Sequence, residues 1–209
     1  MEIFQRATYR FPLLTDAPRI LDVGANIGMA SVFFIQNYPG CRLTAVEPDP
    51  DIFSVLEENL RPYQKSGCTC LNLAITSQAG DFRFFQNRAD SGRLNLPTKA
   101  HHAVTQVKGI PLDDLLAEPV DFLKLDIEGS EVEVLAACRN LHRVAYLFIE
   151  YHSFQGLPQD LEILLTKLKS AGFRYWLQNH FSPKNLWGFT ESVEGMDVLI
   201  NIFARRERP

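Results

Sequence analysis

The stretch Ile20-Leu21-Asp22-Val23-Gly24-Ala25-Asn26-Ile27-Gly28-Met29-Ala30-Ser31 decides the fold. Ile20 to Val23, apolar except for one acid, reads as a buried strand that ends at Gly24. Apolar-rich helical sequence, Met29 to Tyr38, begins directly after Gly28. A strand that feeds a helix through a glycine-bearing turn presents bare backbone amides at a helix N-terminus, where nucleotide-type cofactors of open α/β sheets bind. A dinucleotide fingerprint for hydride transfer would put glycines at 24, 26 and 29, but the chain carries Asn26 and Met29. No Gly-Lys-Ser/Thr follows, so a Walker loop is excluded as well.

Outward from this turn, Arg42 to Glu47 reads as a second strand stopped by Pro48-Asp49-Pro50. Asp49 or Asp51 caps the next helix, whose apolar stripe is Ile52, Phe53, Val55, Leu56 and Leu60. Glu47 thus stands at the carboxyl end of a strand, where a carboxylate can accept hydrogen bonds from both ribose hydroxyls of a nucleoside. A helix-capping or solvated acid is the competing reading. Cys68 to Thr76 alternates as a third strand, and Asp81 to Phe85 as an extra strand paired nearby. Asn87 to Ala103, which includes His101-His102, is polar and long for a connection. Val104 to Ile110 is a further strand and Leu112 to Leu116 a short helix.

Phe122 to Leu125 is the next strand, with Asp126 and Glu128 where it gives way to a helix starting at Ser130. Lys124 alternates with Asp126 on one strand face and can pair with an acid there. Val144 to Ile149 is the most apolar strand, hence central, and runs into Glu150-Tyr151-His152. Pro158 to Ala171 is an amphipathic helix, and Phe173 to Leu177 and Met196 to Phe203 are the last strands. Alternating strands and helices argue a mainly parallel sheet, and the closing pair, without a helix between, an antiparallel edge.

The 209 residues fit one domain, 1–209, with 1–18 as a lead-in and 87–103 and 180–194 as candidate substrate loops. A net charge of −4 and a pI near 5.7 leave no footprint for nucleic acid. No apolar run reaches the length of a membrane span and no signal peptide opens the chain, so no membrane partner is expected and the reading is cytoplasmic. Cys41, Cys68, Cys70 and Cys138 lack zinc spacing and read as reduced thiols. Nothing in the composition speaks to oligomeric state.

Asp22-x-Gly24-x-x-x-Gly28 resembles the first motif of class I S-adenosylmethionine-dependent methyltransferases. Together with Phe122-Leu123-Lys124-Leu125-Asp126-Ile127-Glu128-Gly129-Ser130-Glu131 it resembles the FkbM family of those enzymes. Leu112-Asp113 and Ile149-Glu150-Tyr151-His152 fit the same family, and the resemblance spans about residues 19–155. It implies an α/β class I methyltransferase fold: a mostly parallel seven-stranded sheet in the order 3-2-1-4-5-7-6, strand 7 antiparallel, with helices on both faces. It also implies methyl transfer from S-adenosyl-L-methionine to a hydroxyl of a sugar, polyketide or other secondary metabolite.

On that footing Asp22, Gly24, Asn26, Gly28, Glu47, Pro48, Ala74 and Asp126 form the expected cofactor-binding set. Asp22 is expected to accept backbone amides beneath the cofactor, and Asn26 to cap the helix or meet the methionine carboxylate. An attacking alcohol must lose its proton, and His152 or Asp126 is the expected general base, with Glu150 orienting or holding the cofactor's amino end. No resident metal is expected. A rival arrangement uses the paired carboxylates and imidazole to hold Mg²⁺, as in catechol-type methyltransferases. A non-catalytic protein that keeps the fold is the other alternative.

Overall fold

The structure, a computed structural model, describes residues 8–87, 92–94, 101–182 and 195–206. In chain order the first elements are β1 (Arg19–Val23), α1 (Met29–Asn37), β2 (Arg42–Val46), α2 (Pro50–Leu60), β3 (Cys68–Leu71) and β4 (Ala74–Thr76). There follow β5 (Gly80–Asn87), β6 (Gly92–Leu94), β7 (His101–Pro111), α3 (Leu112–Leu115) and β8 (Val120–Leu125). The chain closes with α4 (Glu131–Ala137), β9 (Val144–Phe154), α5 (Leu161–Ser170), β10 (Phe173–Phe181) and β11 (Met196–Arg206).

Seven strands form one sheet in the order β3-β2-β1-β8-β9-β11-β10. Numbered among themselves, these strands follow the expected 3-2-1-4-5-7-6. The β1–β2, β2–β3, β1–β8 and β8–β9 pairs are parallel, whereas β11 runs antiparallel to both β9 and β10. Because side chains alternate across a strand, neighbours in sequence enter opposite cores. Ile20 and Phe122 pack with Phe33, Phe34, Leu56 and Leu60 on the side of α1 and α2. Leu21 and Leu123 pack with Val134, Leu135, Leu164 and Leu168 on the side of α4 and α5.

The lead-in is part of the first core. Tyr9 sets its ring 5.0 Å from that of Phe148, and Phe11 stacks on Phe122 and Tyr38. The Tyr38 hydroxyl accepts from the Phe11 amide at 2.6 Å and donates to its carbonyl at 3.1 Å. The rest of the lead-in, residues 1–7, lies outside the described residues.

A second sheet, β4-β7-β5-β6, corrects two expectations. Cys68 to Thr76 is not one strand: β3 stays in the large sheet, while β4 crosses to the small one and pairs with β7. Asn72 marks the break, donating from Nδ2 to the carbonyls of Glu47 and Pro48 at 2.9 and 3.1 Å. The polar stretch 87–103 is also not all loop, since it contains β6 and the start of β7 at His101. Residues 88–91 and 95–100 of it lie outside the described residues, as do 183–194 of the second expected loop. Among the described residues, no helix is long and apolar enough to cross a membrane.

Candidate active site

The first turn is shaped by close approach. Gly24 has φ 76°, and a methyl group on it would lie 1.6 Å from the backbone oxygen of Asp126. A glycine is therefore needed where the ends of β1 and β8 touch. The amides of Gly24 and Ala25 both donate to the Val46 carbonyl, which ties the turn to β2. Asn26 sits at φ 50° and its Oδ1 accepts the Ile27 amide at 2.6 Å. The cap position of α1 belongs to Gly28, at φ 91°, and no side chain bonds there, so Asn26 shapes the turn and does not cap the helix.

Glu47 is neither cap nor solvated acid. Its Oε2 accepts the Asn26 amide and its Oε1 the Asp49 amide, each at 2.9 Å. Asp49 caps α2, taking the amides of Asp51 and Ile52. Burial pushes the Glu47 carboxyl up to about 7, against the lowering effect of those two amides. Glu47 lines a cleft together with Gly24, Asn26, Pro48, Phe84, Asp126 and Glu128. Five of the expected cofactor residues thus converge.

Asp22, Gly28 and Ala74 do not line the cleft. Ala74 packs in the small-sheet core behind Phe84, which supplies the wall at that place. Asp22 is wholly buried beneath the turn. Its partners are not backbone amides: Oδ2 accepts the Ser31 hydroxyl at 2.6 Å, and Oδ1 lies 3.5 Å from the Lys124 ammonium. The strand pleat turns this side chain inward to α1 and β8, away from the amides at the strand end.

Lys124 joins the two motifs. Its Nζ donates to the Gly24 carbonyl at 2.7 Å and lies 3.1 Å from Asp126 Oδ2. Burial works against its charge, but Asp126 and Asp22 outweigh burial and hold Lys124 protonated well above the ordinary lysine range.

Next to Asp126 stands a second cation. His152 Nδ1 lies 3.2 Å from Oε1 of Glu131, while Nε2 faces Glu128 Oε2 at 3.6 Å and Glu150 Oε1 at 3.8 Å. Burial alone would lower its pKa, but Glu131, Glu128 and Asp126 reverse this and raise it to about 10. The same acids favour the protonated imidazole over the neutral form that a general base needs. Burial, and then Asp126, raise the Glu150 carboxyl above its ordinary range.

Glu131 is the residue that sequence reasoning missed. In sequence it is one of two acids in the favourable first turn of a helix, yet it is 1% exposed. The chain doubles back at Glu128 (φ 56°) and Gly129 (φ 102°), so the Ile127 and Gly129 amides donate to the Glu131 carboxylate at 3.0 and 3.1 Å. A signal existed in the Glu128-Gly129 pair, a favourable place for left-handed backbone next to an acid. Asp113, by contrast, serves architecture. It accepts the amides of Arg139 and Asn140 and fastens α3 to the segment after α4.

Residues 22–175 match the model of the methyltransferase FkbM domain. The chain belongs to the FkbM methyltransferase family. Methyltransferase sdnD of Sordaria araneosa is 28% identical over 78% of this chain and 78% of its own length. The hexuronic acid methyltransferase AglP of Haloferax volcanii is 29% identical over 71% of this chain and 61% of its own. A crystal structure of methyltransferase FkbM from Methylobacillus flagellatus superposes with a TM-score of 0.61 at 21% identity, and supports the fold. The superposition covers 95% of this chain and 46% of that longer one. This chain's glycine turn and Lys124–Glu131 segment both lie inside the region matched by the family model.

Proposed function

We propose that the chain moves a methyl group from S-adenosylmethionine to a hydroxyl oxygen of a small molecule. The observation that carries this reading is that Asp126 belongs to both halves of the site: it lines the glycine-turn cleft and adjoins the acid group around His152. The residues fit the cofactor. Each Glu47 oxygen accepts one amide and keeps a further lone pair for a ribose hydroxyl. Asp126, Glu128 and Glu150 give the end of the cleft a negative field suited to a sulfonium.

The cofactor supplies an electrophilic methyl group. The chain supplies position, since in-line displacement depends on holding the acceptor oxygen in place. The acceptor proton goes to one carboxylate of the acid group, Glu128, while His152, held by Glu131 on its other nitrogen, orients the neighbouring acids. A hydroxyl acceptor agrees with the relatives, which include a 2-O-methyltransferase, NoeI, of Sinorhizobium fredii, and a 31-O-demethyl-FK506 methyltransferase of Streptomyces tacrolimicus.

Calorimetry with S-adenosylmethionine tests the cofactor half. Glu47→Ala should weaken binding by about 1–3 kcal/mol, the cost of stranding buried polar partners. No heat from the wild-type protein at millimolar cofactor would sink the reading. Unchanged affinity in Glu47→Ala would remove the ribose role. Methyl label from the cofactor should then appear on a hydroxylated acceptor.

A further inference from the structure

We propose that Asp126, Glu150 and His152 hold one divalent cation of the kind that accepts mixed oxygen and nitrogen ligands, such as Mn²⁺. One ligand atom from each of the three lies within 4.8 Å of the others. The imidazole is the telling member. Its Nδ1 faces the buried Glu131 carboxylate at 3.2 Å, the outer partner that metal-bound histidines typically have. Its side chain is 3% exposed and its ring stacks on Phe154, so Nε2 has one direction in which to point.

That direction is into the acid group. Among the described residues Nε2 makes no hydrogen bond, because Glu128 and Glu150 stand at 3.6 and 3.8 Å, beyond hydrogen-bonding distance. Two ligand atoms each about 2.1 Å from a shared octahedral ion are about 3.0 Å apart when adjacent and about 4.2 Å when opposite. The 3.8 Å between Nε2 and Glu150 Oε1 is therefore too wide for a hydrogen bond and lies within the span that an ion bridges. Lys124, 3.1 Å from Asp126 Oδ2, steadies that carboxylate, and the ion takes the place of the Nε2 proton.

The consequence for catalysis rests on the methyl-transfer reading. A hydroxyl bound to the ion has a lowered pKa. Glu128, outside the ligand set, receives its proton.

Full-length protein stripped with a chelator is titrated with Mn²⁺ by electron paramagnetic resonance, and with S-adenosylmethionine by calorimetry in the same preparation. One Mn²⁺ per chain is expected, with affinity at least tenfold lower in Glu150→Gln and in His152→Gln, thermal unfolding confirming that each variant is folded. Absence of stoichiometric Mn²⁺ uptake by wild-type protein overturns the site, as does uptake unchanged in both variants. Full methyl transfer after exhaustive chelation overturns it too. Cofactor heat without Mn²⁺ uptake sinks the ion alone; Mn²⁺ uptake without cofactor heat keeps the ion and sinks the methyl-transfer reading.

Discussion

Two cations are buried within reach of Asp126, and they are used differently. Lys124 has a partner on each side it can reach: the Gly24 carbonyl at 2.7 Å, Asp126 at 3.1 Å and Asp22 at 3.5 Å. His152 has a close partner on one nitrogen only, Glu131 at 3.2 Å, and looser acids at 3.6 and 3.8 Å around the other. The burial is nearly equal, 5% and 3% of the side chain exposed. Saturation is what separates them. A saturated buried group joins strands, while an imidazole whose second nitrogen faces acids beyond hydrogen-bonding distance has capacity left for a ligand.

The largest effect is expected at the saturated cation. Lys124→Met strands Asp22 in a dry interior, and breaking one side of a buried pair costs about 3–5 kcal/mol. Urea unfolding at neutral pH measures it. A loss below about 1 kcal/mol would mean that Lys124 is not the tie between the motifs, and the contrast with His152 would collapse.

At His152 the expected signature is pH dependence. In metal-free protein the folded state keeps the imidazole proton to about 10, whereas the unfolded chain releases it near 6.5. The folded state thus binds more protons between those values, so this contribution is complete below pH 6.5 and is lost as pH rises to 10. The groups responsible are Glu131, Glu128 and Asp126, with Glu150 also facing the ring. A decline on the order of 4 kcal/mol across the window is expected, and His152→Gln should flatten it. A profile identical in wild type and variant would show His152 to be neutral in the fold and restore it as a candidate base.

The same contrast explains what was legible before any coordinates. The large sheet declared itself through apolar strands, and the acids that matter at strand ends, Glu47 and Asp126, could be placed by counting from them. Pairing of Lys124 with acids was also open to reading, since alternation alone puts it on a face with Asp126. The small sheet was not, because alternation runs on through Asn72 while the chain changes sheets there. The charge of His152 was equally hidden. It depends on Glu131 from the start of α4 and Glu128 from a left-handed turn, which only the folded backbone brings to one ring.

The smallest effect tests whether Asp22 belongs wholly to the Lys124 side. The Ser31 hydroxyl donates to Asp22 Oδ2 at 2.6 Å, and Oδ1 makes no hydrogen bond of its own. Ser31→Ala removes a bond to a charged group, a loss of about 1.5–3 kcal/mol, offset by roughly 0.5 kcal/mol from the better helix propensity of alanine in α1. A net loss of about 1–2.5 kcal/mol in urea unfolding is expected. Because Ser31 and Lys124 share Asp22, the double variant should depart from additivity by at least about 0.5 kcal/mol. The slope between pH 6.5 and 10 should not move, since His152 gains nothing from Ser31. Additive losses would separate Ser31 from the Lys124 network, and a changed slope would show that the two buried cations are coupled through Asp126.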